Sequence, residues 1–258
     1  MHFPYQDGAI VAADSRTTLE DGTHCDNQDK LFRIRNHSQS LFGMTGNYTI
    51  TTSPRNLTGC AYLNSKVYDV DFRKTMRDFL SESKQPLTQK RLYQAEKLLK
   101  TEIEKYLPQY PKLVDTDGGI ISVTIVEGVK EGTIFGSFRI VSHDKKTGII
   151  AEEAFHLIQN NESEFENAHI TTKADCLAIS KSAAGRKYLS VDALKTFDEA
   201  IAARPTVGQT RKKDAVEMVR EIISSTITIS KNLPKLECKV GGPIKMFDLN
   251  DQKVMQLN

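Results

Sequence analysis

The chain has 258 residues, 39% hydrophobic and 26% charged, the balance of a folded protein with a sizeable core rather than a disordered one. Its formal net charge is +2, so no global field steers it to nucleic acid or to an anionic membrane. No run approaches the roughly 20 apolar residues needed to span a bilayer, and residues 1–7 have neither the basic region nor the apolar run of a leader peptide, so a cytoplasmic protein is expected.

In chain order, Gly8-Ala-Ile-Val-Ala-Ala-Asp14 is a short apolar run after a turn, which predicts a buried strand. Residues 15–29 are polar and punctuated by Gly and Asp, hence loop or irregular strand. Lys30–Ile34 alternates as a strand, residues 36–39 form a turn, and Ser40–Gly46 is a further strand ending in glycine. Residues 59–82 carry a weak helical pattern. Residues 87–107 carry a clear one: Leu92, Ala95, Leu99, Ile103 and Tyr106 share one face, and Pro108 and Pro111 stop it.

Strands return at 119–126, dense in β-branched residues, and at 133–142 and 148–157. An acidic, polar loop is expected at 159–168, a short strand at 177–180, and helices near 181–189, 191–203 and 211–226. Two strands divided by Gly241-Gly242-Pro243 close the chain over residues 236–248. Segregated runs of strands and helices predict an α+β chain of stacked antiparallel sheets, without alternating βαβ units, in one domain over residues 1–258.

Four scattered cysteines, Cys25, Cys60, Cys176 and Cys238, form no CxxC pair and are expected to be reduced thiols. His143, Asp144 and His156 lack metal-ligand spacing, and no phosphate-binding or dinucleotide-binding glycine set occurs, so neither a metal nor another cofactor is expected. Arg211-Lys-Lys-Asp214 reads as a solvated helix start.

Three segments together resemble the proteasome β-subunit family and bacterial relatives such as the HslV protease. Gly8–Thr18 looks like G-x-[IV]-[IV]-A-x-D-S-R-x-T. Lys30–Ile34 looks like the family's lysine-bearing strand, with the lysine roughly 16 residues after the aspartate. Gly43-Met-Thr-Gly46 looks like the G-x-[AS]-G that leads into the first helix, and Gly241-Gly242 like a late glycine pair. The motifs cover residues 5–46, and the order of elements covers most of the chain.

The resemblance implies a four-layer αββα sandwich and an N-terminal-nucleophile (Ntn) hydrolase. In that family an N-terminal threonine hydroxyl attacks the peptide bond, and its own α-amine is the general base. It further implies that Lys30 keeps the potential positive, favouring the neutral amine and stabilising developing negative charge. Asp14 would orient Lys30, and the Gly46 N–H would serve as oxyanion donor. Peptide or protein substrates and assembly into homo-oligomers or rings follow from the same resemblance, with no nucleic acid or membrane partner.

Taken singly, Asp14-Ser15-Arg16 is equally a strand-terminal turn held by an Asp–Arg pair, Lys30 a surface lysine, and Gly46 a tight-turn glycine. The sequence also departs from the family. Counting back from Asp14 passes Met1 by about three positions, and Met1-His2 offers no Ser, Thr or Cys. Thr17 and Thr18 lie beyond the aspartate. Glu237 and Val240 stand where an aspartate and a serine are expected, and Ser180-Lys-Ser182 corresponds only loosely to a G-S-G. A peptidase scaffold that is inactive as given is therefore expected, with a noncatalytic assembly or binding protein as the alternative.

Overall fold

The structure is a computed structural model that describes residues 2–19, 21–35, 39–50, 59–65, 68–82, 85–110, 119–130, 132–144, 148–159, 211–231 and 240–257. The expected loop at 159–168, the strand at 177–180, the helices near 181–203 and the strand at 236–239 lie outside these residues, apart from Gln159, which ends a strand.

The chain is α+β, with strands β1 (His2–Tyr5), β2 (Gly8–Ala13), β3 (Thr17–Thr18), β4 (His24–Cys25), β5 (Leu31–Arg33), β6 (Ser40–Gly46) and β7 (Thr49–Ile50) first. Helix α1 (Cys60–Ser65), β8 (Val70–Asp71), α2 (Phe72–Ser81) and α3 (Gln89–Tyr106) follow. Next come β9 (Gly119–Val129), β10 (Gly132–Asp144), β11 (Gly148–Gln159), a helix we number α4 (Lys212–Lys231), β12 (Lys245–Leu249) and β13 (Val254–Leu257).

Two larger antiparallel sheets form: one of four strands in the order β1-β2-β12-β13, and one of five in the order β11-β10-β9-β6-β5. Side-chain alternation along these strands divides the apolar residues into three clusters. On β2, Val11 belongs to a cluster with Leu41, Val126 and Phe135 of the five-stranded sheet and Phe247, Leu249 and Val254 of the four-stranded one. Its neighbours Ile10 and Ala12 belong to another, with Phe3, Met246 and Ala215, Val219 and Ile223 of α4. On β6, Leu41 points into the first cluster, whereas Phe42 and Met44 meet Phe72, Met76, Leu92 and Leu99 of α2 and α3.

The expected helix 59–82 is interrupted. Val70–Asp71 pairs with β7, and Asp71 caps α2 by accepting the Arg73 N–H, so the capping aspartate divides one weak pattern into two short helices. The predicted face of α3 is buried, with Thr88 as its N-cap. Helix α4 runs five residues past its expected end, through a β-branched stretch in which Thr226 and Ser230 are buried; tertiary packing outweighs the weak local propensity there. Strand β13 is absent from the sequence reading. Asn250 turns the chain into it, its side-chain oxygen accepting the Gln252 and Lys253 N–H groups.

The expectation of four reduced thiols is overturned: Cys25 and Cys60 form a disulfide. The two residues are 35 apart in sequence, and their pairing carries no local signature of the CxxC kind, so only the fold brings them together.

β1 is fixed at both ends of its short length. The His2 Nε2 lies 3.2 Å from the Thr133 Oγ1 of the other sheet. The Tyr5 hydroxyl donates to Asp248 Oδ1 at 2.6 Å, and the Lys212 ammonium of α4 donates to Asp248 Oδ2 at 2.6 Å. Burial, reinforced by the Asp248 hydrogen bond, pushes the Tyr5 phenol well above its ordinary value of 10.0. Its folded pKa is raised, so the stabilisation is fully present below pH 10 and is lost only as pH rises through the folded value. In a spectrophotometric titration Tyr5 is therefore expected to ionise late, after the exposed tyrosines, and Tyr5→Phe to remove one residue from the late step.

Candidate functional site

The candidate site grows from the end of β2. The apolar strand buries Ile10, Val11 and Ala12, and the next polar residue, Asp14, is carried inward with them to 5% exposure. A carboxylate at that depth needs partners. Its Oδ1 accepts from the Lys30 ammonium at 2.8 Å, and its Oδ2 accepts the N–H groups of Arg16 and Gly241, each at 3.1 Å. The Asp14–Lys30 spacing thus becomes a direct ion pair, with side-chain exposures of 4% and 13%.

The Arg16 side chain does not pair with Asp14. Its guanidinium makes a two-pronged contact with Asp26, Nε to Oδ1 at 2.9 Å and Nη2 to Oδ2 at 3.2 Å, which holds the Asp26 carboxyl below the usual aspartate value. The strand-terminal turn is real, but the Asp–Arg pair that holds it joins Arg16 to Asp26, across a loop. Ser15 completes the knot: its N–H donates to the Gly241 carbonyl, its carbonyl accepts the Gln28 N–H, and its hydroxyl accepts the Asn27 N–H. A methyl at Gly241 would overlap the Arg16 guanidinium, so any larger residue there must displace that side chain from its contact with Asp26.

Beside Lys30 opens a cleft of about 70 Å³. Its apolar walls are Val11, Ala12 and Ala13 of β2 with Leu41 and Met44 of β6; its polar groups are Lys30, His2, Thr45, Ser122 and Thr124. One cation with three hydroxyl-bearing side chains in a small concavity can stabilise a developing oxyanion and orient a polar substrate group.

Of the three expected site residues, the structure brings Asp14 and Lys30 together and places Gly46 at the end of β6, outside the cleft lining. Gly46 has φ +93°, and a Cβ there would run into the Ile120 carbonyl oxygen. Its glycine is thus accounted for by backbone conformation and close approach, and Gly43, Met44 and Thr45 are the residues of that segment that line the cleft, the Met44 side chain lying with α2 and α3. Val240 has no polar side chain, yet its N–H donates to the buried Ser230 Oγ of α4, so a serine hydroxyl still holds the backbone before the glycine pair. Glu237 and residues 180–182 lie outside the described residues.

Sequence reasoning missed Asp26, Ser122 and Thr124. Asp26 had a signal in Asp14-Ser15-Arg16, whose arginine needed a carboxylate; Ser122 and Thr124 had one in the polar alternation of an otherwise apolar β9. Among the described residues no group of three or more His, Cys, Asp or Glu side chains could hold a metal, and no helix is long and apolar enough to cross a membrane.

No protein-family model matches the chain, and no curated protein matches it either.

Proposed function

We propose that the chain is a proteasome-type N-terminal-nucleophile scaffold, built for peptide-bond hydrolysis by a threonine placed next to Lys30. The observation that carries this reading is the buried Asp14 carboxylate, bound at once to the Gly241 N–H and to the Lys30 ammonium, a residue that lines a cleft walled by β2 and β6. Three apolar clusters, one between the sheets, one against α2 and α3 and one against α4, support a four-layer αββα order in a single domain spanning residues 1–258.

The register of β1 supports a place for the nucleophile. His2 pairs with Val11 and Phe3 with Ile10, so the strand direction before His2 leads past Ala12 and Ala13, both cleft residues, towards Asp14. Continued in that register, a third residue before Met1 would lie opposite Ser15, beside the Asp14–Lys30 pair. β1 itself, His2-Phe-Pro-Tyr5, contains no Ser, Thr or Cys.

In the proposed mechanism the threonine hydroxyl attacks the scissile carbonyl and passes its proton to the α-amine. The positive Lys30 disfavours protonation of that amine in the free site and stabilises the tetrahedral oxyanion. The amine then protonates the leaving nitrogen, and water hydrolyses the acyl-enzyme. Asp14 acts through Lys30 as a positioning residue. Peptide substrates, ring or homo-oligomeric assembly and a cytoplasmic location belong to the same reading.

The test adds a threonine and two further residues before Met1 and follows hydrolysis of a fluorogenic peptide. Turnover is expected, with a loss of about 10²–10³-fold in Lys30→Met. A folded protein without turnover would favour the alternative, a noncatalytic assembly or binding protein on the same scaffold.

A further inference from the structure

We propose that Cys25–Cys60 is a thiol–disulfide redox site whose closed form holds the Asp26–Gln28 segment against the Ser15 turn. The segment joins two bodies. On one side it reaches the turn, through Asp26 on Arg16, the Asn27 N–H on the Ser15 hydroxyl and the Gln28 N–H on the Ser15 carbonyl. On the other side it reaches α1, through the disulfide and a 3.0 Å hydrogen bond from Gln28 Nε2 to Asn64 Oδ1. Asn27 adopts φ +71°, a conformation few side chains accept, and this aims its N–H at Ser15. Lys30 follows Gln28 by two residues, so whatever loosens this segment loosens the lysine strand at its start.

Local stability makes the site a switch. Helix α1 has only six residues, too few to hold its form without tertiary ties. Its described ties are the disulfide, the Asn64 hydrogen bond, the buried Leu63 side chain and the Tyr68 hydroxyl on the Leu63 carbonyl. The β9–β10 ladder and the α2–α3 core, by contrast, are bound by long strand registers and a large apolar cluster that includes neither cysteine. A chain with such cores does not need a disulfide to fold. Reduction therefore opens the clamp and leaves the sheets standing.

The chemistry uses a low-molecular-weight thiol. Cys25 is 1% exposed, whereas Cys60 is half-buried, so the thiolate attacks the Cys60 sulfur. The Cys25–Cys60 bond breaks, a mixed disulfide forms on Cys60, and Cys25 leaves as a thiolate that takes a proton. A second thiol displaces Cys60, giving two protein thiols and one small disulfide; a small disulfide reverses both steps.

The test compares the chain before and after dithiothreitol by hydrogen exchange, with alkylation and peptide mapping to count thiols at Cys25 and Cys60. Two newly labelled cysteines and an acceleration of about tenfold or more at the Asn27 and Gln28 amides are expected, with Val123–Val126 unchanged. Cys60→Ser is expected to reproduce the reduced pattern. Unchanged exchange at Asn27 and Gln28 would overturn the proposal. So would equal acceleration in β9, which makes the bond a global staple, or a failure to find the two cysteines oxidised beforehand. The measurement needs neither a nucleophile nor a substrate, so its failure is distinct from failure of the hydrolase reading.

Discussion

Asp14→Ala is expected to lower the stability of the folded chain by about 3–5 kcal/mol, roughly 6–20 °C in melting temperature for a chain of this size. The substitution removes one carboxylate and strands three donors. Lys30 keeps a charge at 13% side-chain exposure with its carboxylate gone, and the Arg16 and Gly241 N–H groups lose their acceptor. Leaving an ammonium uncompensated at that depth costs more than the net worth of the pair, because the desolvation has already been incurred. Asp14→Asn retains an oxygen for the N–H groups but not the charge, and is expected to fall between wild type and Asp14→Ala. Urea denaturation of the three proteins checks the order; a loss below about 1 kcal/mol for Asp14→Ala would place the pair among surface ion pairs, which contribute little.

Gly241→Ala is expected to cost about 2–4 kcal/mol, as overpacking plus weakened hydrogen bonds. The added methyl falls on the Arg16 guanidinium, which cannot swing away freely because Asp26 grips it with two hydrogen bonds. Relief by backbone movement would stretch the Gly241 N–H to Asp14 and the Ser15 N–H to the Gly241 carbonyl. A double-mutant cycle with Arg16→Ala isolates the clash: in that background Gly241→Ala should cost less, with a coupling of about 1 kcal/mol or more. A coupling near zero would mean that the glycine is needed for some other reason.

Much of the site was readable because it lies close in sequence to strand edges. Asp14 ends an apolar strand and Lys30 opens the next alternating segment; their pairing is implied by the resemblance to the proteasome β-subunit family, whereas the residues read singly leave Asp14 to Arg16 and Lys30 to the surface. The α3 face was equally plain, since one amphipathic period recurs through four turns. What stayed hidden depends on distant chain segments. Gly241 reaches Asp14 across 227 residues, and only the pairing of β12 with β2 brings them together. Cys25 and Cys60 meet for a similar reason. The resemblance implies Gly46 as an oxyanion donor; its φ and its close approach to Ile120 require glycine there, and it lies outside the cleft lining. β13 escaped because its four residues, Val-Met-Gln-Leu, alternate too briefly to register as a strand without β12 beside them.

Val240 places an apolar side chain where the resemblance implies a hydroxyl. The Val240 N–H donates to the Ser230 hydroxyl of α4, and the contact with Asp14 comes from the Gly241 backbone. The carboxylate is fully engaged without any side chain from residue 240.

In the proposed hydrolase, a threonine amine and hydroxyl placed upstream along β1 would meet Lys30. Intact mass after incubation with a peptide epoxyketone tests this most directly, because the adduct needs the hydroxyl and amine of one N-terminal residue in reactive geometry and no completed turnover. On the chain carrying threonine three positions before Met1, a single adduct is expected that maps to that threonine and is lost in Lys30→Met. A folded protein that gains no adduct, or gains it equally without Lys30, would contradict it.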